Sequence, residues 1–342
     1  MNTSPHLDAI DRECMTRALA AASLVRCITS PNPWVGSVIR TEDGALFEGA
    51  TQEPGGAHAE IAALALAGTS ARGSTLYVTL EPCSHTGRTG PCVDAIIEAG
   101  VSRVVVGIED PDVAVSGTGI AGLRDAGLVV DCGVQASQVK AQLAPYLKHR
   151  QTGRPWVVLK MASTSDGGTA APNGTSQWIT GTAARVDGHR LRAESDAILV
   201  GAGTIRRDDP SLNVRDYVPP VRPILSPLDP LRIVLGKVAD TAKVQPCREM
   251  SGDLGVILDQ LGSEGVLQLL VEGGAGVAGE FHRLGLVDRY VIYLAPAFFG
   301  GDDANGLFDG AGAWDISDAW RGRFVAVERV GEDLRIELAP QE

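Results

Sequence analysis

Two short stretches of the chain carry side chains suited to one metal ion: His58-Ala59-Glu60, and Glu81-Pro82-Cys83 with Pro91-Cys92. They offer one imidazole, two thiols and a carboxylate that need not bind. Such a set suits a tetrahedral zinc with three protein ligands, His58, Cys83 and Cys92, whose fourth position holds a water acidified towards neutral pH. A carboxylate beside the metal but outside its ligand set can carry the water's proton, and Glu60 has that place. The chemistry indicated is hydrolysis. Two plainer accounts stand beside it: a closed structural site with His85 as fourth ligand, which leaves Glu60 without a role, or two buried cysteines with no metal. Cys14, Cys27, Cys132 and Cys247 lack ligand spacing and read as ordinary core or surface thiols.

The flanking sequence predicts how these groups are held. Ala57 to Leu64 reads as the opening of a helix behind the loop Glu53-Pro54-Gly55-Gly56, with His58 and Glu60 in its first turn. Ser74 to Leu80 reads as a buried strand delivering Cys83, and Cys92 opens a second helix closed by Gly100, whose N-terminus favours a thiolate. Further expected elements are a helix over Asp8 to Leu24, strands over Val35 to Arg40, Arg103 to Gly107 and Leu128 to Val130, and a helix from Ile120 to Ala126. Together they form a three-layer α/β pattern. His149 to Pro155 is charged and rich in breakers and reads as a linker, so the domains are expected at 1–149 and 150–342.

Beyond it, Trp156 to Met161 begins a new strand. Val266 to Val271 reads as a buried strand followed by a glycine-rich turn, Gly274-Ala275-Gly276-Val277-Ala278-Gly279, and a helix from Glu280. That order can offer main-chain N–H groups to a pyrophosphate, or serve only tight strand–helix packing. A second turn, Gly201 to Thr204, follows the strand Ala197 to Val200. The same glycine spacing at Gly117 to Gly122 reads as a turn. No strand is evident between Val234 and a helix at Val256.

The zinc-deaminase pattern of His-x-Glu followed by Pro-Cys and a second Cys puts two residues between the cysteines, whereas eight intervene here. With that longer loop, Glu81 to Cys92, come Pro31-Asn32-Pro33-Trp34-Val35-Gly36, Asp110-Pro111, Ser176-Gln177-Trp178-Ile179-Thr180, Asp196 to Gly201, Asp208-Asp209-Pro210-Ser211-Leu212 and Leu270-Val271-Glu272-Gly273-Gly274. In these the chain resembles the bifunctional riboflavin-biosynthesis family RibD (RibG), which joins a pyrimidine deaminase to a ribosyl reductase.

The resemblance implies a cytidine-deaminase-like first domain and a dihydrofolate-reductase-like α/β second domain, with zinc and NADPH as cofactors. It implies a phosphorylated diaminopyrimidinone ribosylamine as substrate, contacted in the deaminase by Asn32, Arg88, Thr89 and Asp110. In the reductase it places Lys160, Asp208 and Glu272 near the reduced sugar carbon. It places Ser176, Arg192, Leu212, Arg215 and Glu272 on substrate, and Ala162, Trp178, Thr204, Asp208 and the run Gly274, Ala275, Gly276, Val277, Ala278, Gly279 and Glu280 on cofactor. Without the family, Arg192 reads as a solvated helix charge and Trp178 as a core aromatic. The chain departs from the family's Ser-Leu-Asp-Gly-Arg at Thr164-Ser165-Asp166-Gly167-Gly168, from Asp-Pro-Asn at Asp112, and from Thr-Pro-Pro-Cys at Gly90. A deaminase whose second half is only a degenerate or binding module, and a deaminase of nucleic-acid bases, are the competing functions.

Composition bounds the rest. The chain has 342 residues, enough for two cores, and is 44% hydrophobic. A net charge of −12 argues against a nucleic-acid partner. Neither a signal peptide nor a membrane-length apolar run is evident, so a cytoplasmic enzyme, expected to be a homo-oligomer, is the reading.

Overall fold

A computed structural model of the chain describes residues 5–84, 90–112, 115–225 and 227–341. Two compact units emerge, Met1–Gly153 with Pro219–Pro227, and Arg154–Val218 with Leu228–Glu342. Among the described residues, no helix is long and apolar enough to cross a membrane.

The first unit contains α1 (Pro5–Leu24), β1 (Gly36–Arg40), β2 (Leu46–Ala50), α2 (Ala59–Ala67), β3 (Thr75–Leu80), α3 (Cys92–Glu98), β4 (Arg103–Ile108), α4 (Thr118–Asp125), β5 (Val129–Cys132), α5 (Ala136–Gln142) and α6 (Ala144–Thr152). Its sheet runs β2-β1-β3-β4-β5. β1 is antiparallel to β2 and β3, and β3, β4 and β5 are mutually parallel. Register assigns the faces. Gly36 pairs with Ala50 and Ser37 with Gly49, so Gly36 and Gly49 point to opposite sides of the sheet. A Cβ on Gly36 would lie 1.9 Å from the carbonyl oxygen of Ala18 in α1, and one on Gly49 would lie 2.3 Å from that of Ala59 in α2. The two helices therefore press on opposite faces, which makes three layers, and only glycine admits so close an approach.

The second unit contains β6 (Trp156–Thr164), α7 (Thr182–Ala193), β7 (Ala197–Gly201), α8 (Ala202–Asp208), β8 (Leu231–Leu235), β9 (Arg248–Met250), α9 (Leu254–Ser263), β10 (Gln268–Val271), α10 (Ala275–Arg283), β11 (Arg289–Ala295), β12 (Gly322–Val330) and β13 (Asp333–Pro340). The eight strands lie in the order β12-β13-β11-β6-β10-β7-β8-β9. Consecutive residues feed two separate cores. Val157, Ala197, Leu199, Ile233 and Leu269 pack with Leu258, Leu261 and Phe281, while Val158, Ile198, Val200, Val234 and Leu270 pack with Leu191, Ile205 and Tyr293. Strands buried on both faces explain why the apolar runs here are continuous rather than alternating.

Several expectations are corrected. His149 to Thr152, expected in a linker, closes α6. The turns expected at Gly201 to Thr204 and Gly274 to Gly279 are helices that begin at Ala202 and Ala275, with Gly201 and Gly274 as their N-caps. The run Gly117 to Gly122 is likewise mostly the start of α4. A strand, β9, does occupy the region where none was evident. Its three residues pair in parallel with β8, so the sheet edge, not a periodic pattern, makes it a strand.

Candidate active sites

His58 is the N-cap of α2, Glu60 lies in that helix's first turn, Cys83 follows β3 and Cys92 is the first residue of α3. The three ligand atoms lie within 4.8 Å of one another. His58 Nδ1 is 3.6 Å from Cys83 Sγ and 3.3 Å from Cys92 Sγ. Zinc–nitrogen and zinc–sulfur bonds meeting at a tetrahedral angle give an edge of about 3.6 Å, so the donors already stand at the spacing the ion requires. The hydrogen bond from Cys92 draws the Cys83 pKa down, and Cys83 in turn pushes that of Cys92 up. A divalent ion is what allows both to ionise. Burial raises the Glu60 carboxyl to about 7, and Glu60 is only 4% exposed. His85, the alternative fourth ligand, lies outside the described residues.

Of these groups His58, Glu60 and Cys83 line a cavity of about 370 Å³, together with Asn32, Glu81, Asp110, Asp112, Tyr146 and Arg150, among others. Asn32 and Asp110, expected on the substrate, thus line the same cavity as Glu60, while Arg88 and Thr89 lie outside the described residues. Glu81 is a site residue that motif spacing did not single out, although it stands in the Glu-Pro-Cys triplet. Its carboxylate accepts from the N–H groups of Asp110 at 3.2 Å, Gly117 at 3.0 Å and Ile120 at 3.0 Å. It therefore ties the end of β3 to the end of β4 and to the first turn of α4, where a negative charge suits the helix dipole. Asp110 accepts from the Tyr146 O–H at 3.1 Å and from Asp112 N–H at 2.9 Å, and burial raises its pKa.

In the second unit a cavity of about 490 Å³ is lined by Lys160, Ala162, Ser176, Trp178, Thr204, Asp208, Glu272, Gly274, Ala275, Gly276 and Val277, among others. Strand register brings its charged pair together: Leu159 of β6 pairs with Val271 of β10, so the next residues, Lys160 and Glu272, meet with Nζ and Oε2 3.9 Å apart. Arg192 of α7 grips the same carboxylate with two bonds of 2.7 and 2.9 Å and donates to Asn213 O. The guanidinium expected on a phosphate is thus engaged with Glu272. Burial would raise the Glu272 carboxyl, but Arg192 and Lys160 outweigh it and hold it down to about 2. Burial lowers the Lys160 pKa, against the pull of Glu272. Trp178 is 64% exposed, with the Arg185 guanidinium 4.7 Å from its ring, and is not a core aromatic.

Ala278, Gly279 and Glu280 do not line this cavity. Ala278 is buried, Gly279 lies where a Cβ would meet Asp309 O at 2.4 Å, and the exposed Glu280 binds Arg283. Helical periodicity turns them away, which a glycine-rich turn would not have done. Leu212 is buried with a left-handed φ of 54°, and Arg215, half exposed, pairs with Asp216; neither lines the cavity. At Gly168, where the family has arginine, a Cβ would lie 2.4 Å from the Phe299 ring, so a side chain there requires that ring to move.

Residues 8–108 match the cytidine and deoxycytidylate deaminase zinc-binding region, and residues 155–336 match the RibD C-terminal domain. The riboflavin biosynthesis protein RibD of Escherichia coli is 37% identical, aligned over 96% of this chain and 99% of its own length. That of Mycobacterium tuberculosis is 41% identical over 95% and 96%. Among solved structures, Acinetobacter baumannii RibD superposes with a TM-score of 0.91 at 34% identity, covering 98% of this chain and all of that one. A Thermotoga maritima diaminohydroxyphosphoribosylaminopyrimidine deaminase/5-amino-6-(5-phosphoribosylamino)uracil reductase superposes at 0.84 with 31% identity, over 98% of this chain and 100% of that one. The donor triangle in one unit and the charged cavity in the other are accordingly those of a bifunctional enzyme of riboflavin biosynthesis, and the chain belongs to the RibD family, a zinc deaminase joined to an NADPH-dependent reductase.

Proposed function

We propose that residues 1–149 deaminate 2,5-diamino-6-ribosylamino-4(3H)-pyrimidinone 5′-phosphate and that residues 150–342 then reduce its ribosyl group to a ribityl chain. The observation that carries this is the buried Glu60 carboxyl at one cavity with His58 and Cys83, which with Cys92 form a three-donor cluster. When bound, zinc supplies the Lewis acidity that brings a water's pKa near neutrality. Glu60, raised towards neutral pH by burial, takes up a proton and returns it to the ring and the departing ammonia. Asn32 and Asp110 orient the pyrimidine, with Arg88 and Thr89 as further contacts carried by the family resemblance.

In the second unit NADPH supplies the hydride. Ala162, Trp178, Thr204, Asp208 and the start of α10 at Gly274 to Val277 form its cradle, with main-chain N–H groups at a helix N-terminus suited to phosphate. Lys160, its pKa lowered by burial, serves as the proton donor to the opening sugar, and Glu272 holds both Lys160 and Arg192 in place. Asp208 lies at the same cavity as a further polar group for the sugar. Ser176, Leu212 and Arg215 are assigned to the substrate by the family pattern.

A homo-oligomer fits the edge strand β12, which exposes Phe324 at 70% and Val327 at 57%. A reducing, cytoplasmic setting fits six cysteines that form no disulfide with one another.

The test is to give the zinc-loaded chain the ribosylamine phosphate, then NADPH. Ammonia release followed by NADPH oxidation is expected. Glu60→Ala is expected to retain zinc and lose ammonia release, and a Glu60→Ala variant with full turnover would end the proposal.

A further inference from the structure

His189 of α7 is 5% exposed, and both of its ring nitrogens face oxygen. Nδ1 lies 3.1 Å from Asn213 O, and Nε2 lies 3.4 Å from Asp216 Oδ2. A neutral imidazole carries one N–H and an imidazolium two, so in either neutral tautomer one lone pair is turned on an acceptor. Only the charged ring satisfies both. The segment that His189 faces is gathered around Asn213. The Asn213 carbonyl also accepts from Arg192 at 3.1 Å, and its Oδ1 accepts from the Ser211 O–H at 2.7 Å and from Arg215 at 3.2 Å. Leu212, between them, is buried with a left-handed φ of 54°, a conformation that persists only where the surroundings enforce it. Through Arg192 the same carbonyl is joined to Glu272, and so to Lys160 in the reductase cavity. Asp216 Oδ2 is shared, since Arg215 Nε stands 3.5 Å from it. With Asp216 at His189, Arg215 does not line that cavity.

We propose that His189 is a positioning residue of the reductase site that acts as a latch: as imidazolium it fastens residues 211–216 to α7 through both ring nitrogens, and as neutral imidazole through Asn213 alone, which releases Asp216 and with it Arg215. The proton comes from solvent and sits on Nε2. Besides Asp216, the charged groups facing the ring are Arg192 on the same helix, Arg215 in the segment and Glu272 after β10. Burial and the two arginines oppose the second proton, Asp216 and Glu272 favour it, and the balance lies below the ordinary 6.5. The latch is therefore closed in acid and open at neutral pH, where Arg215 is free to reach substrate. This rests on the reductase reading above and adds a control of its substrate segment.

The full chain, labelled with carbon-13 at histidine Cε1, is titrated by NMR, the His189 signal being the one absent from His189→Gln. Its midpoint is expected below 6.5. Asp216→Asn removes an attractive but exposed charge and is expected to lower that midpoint by a further ~0.2–0.7 pH unit. Amide exchange of residues 212–216, divided by the intrinsic rate, reads the latch itself. One exposed ion pair is worth about 1.5- to 5-fold, so protection in the parent is expected to fall by that factor as pH rises through the His189 midpoint. In Asp216→Asn the new amide can donate to the bare Nε2, so protection should hold across the range. KM for the deaminated substrate, followed by NADPH oxidation, gives the functional reading. Its ratio between parent and Asp216→Asn, in which substrate ionisation cancels, is expected to fall by about the same 1.5- to 5-fold through that midpoint, with the ratio of kcat values flat. A histidine that only braced α7 would lose protection on His189→Gln equally at every pH. A parent with no step at the His189 midpoint therefore overturns the inference, as does a step that survives in Asp216→Asn. Should His189→Gln fail to fold, the signal that moves in Asp216→Asn identifies the ring, and that variant decides. A parent that oxidises no NADPH defeats the reductase reading while the exchange step still decides the latch, whereas an active parent without the step defeats the latch alone.

Discussion

The two catalytic cavities are held together by different means. In the first unit His58, Glu60, Cys83 and Cys92 hang on two strand-to-helix connections of one sheet, and a single ion is the object on which the ligands converge. In the second, Lys160, Arg192 and Glu272 come from β6, α7 and the end of β10 and converge on each other. An ion accepts ligands from any connection of suitable length. A buried charged trio has no such adaptor and depends on strand register and helix docking. The metal site should thus fail by losing its ion, and the reductase site by losing its fold.

Zinc removal offers the sharpest contrast. Chelation is expected to abolish ammonia release, a loss of roughly 10³-fold or more given the several kcal/mol a metal contributes, while NADPH oxidation with deaminated substrate continues. Parallel loss of both rates would break the comparison.

The converse experiment is Glu272→Leu. Leaving Arg192 buried without its carboxylate is expected to cost about 3–5 kcal/mol, read as a lowered denaturation midpoint of the second unit with zinc still bound to the first. A double variant, Glu272→Leu with Arg192→Leu, should recover part of that cost. No recovery would show that the pair is not the source.

The same carboxylate predicts an acid dependence. Its folded pKa, about 2, lies below the ordinary 4.5, so unfolding takes up a proton as pH falls between the two. Its contribution is complete above about pH 4.5 and drains away towards pH 2, by the linkage of proton uptake to stability. The Tm gap between parent and Glu272→Gln should narrow over that window. A gap independent of pH would place the charge pairing elsewhere.

Smaller effects probe single contacts. Glu81→Gln turns an acceptor into a donor facing main-chain N–H groups, and is expected to cost about 1–3 kcal/mol in stability with a raised deaminase KM and intact zinc. Gly168→Arg should destabilise the second unit by about 1–3 kcal/mol through the Phe299 clash, with relief on adding Phe299→Ala.

Legibility followed the same division. The zinc ligands and Glu60 could be read because metal coordination prescribes residue types and short loops, and the flanking helices begin two residues after the expected Ala57 and at the expected Cys92. Glu81, Tyr146 and Arg150 were not singled out. Their roles come from what the 110–120 segment and α6 bring to the cavity, and neither leaves a periodic or spacing signal. Residues Gly274 to Glu280 show the limit of a motif. Its first four residues reach the reductase cavity, but the last three rotate out because the run is helix rather than turn.

The sequence by itself determined the chemistry of the first site, the alternation of strands and helices, and the membership of both halves in one family, since each rests on residue type, order and local spacing. Tertiary structure alone decided that Lys160 meets Glu272, that Arg192 serves that carboxylate, that Phe299 fills the space over Gly168, and that Arg150 answers Asp112. Those are meetings between residues remote in the chain or across a docked helix. Their partners are fixed by strand register and packing, which no local pattern of side chains encodes.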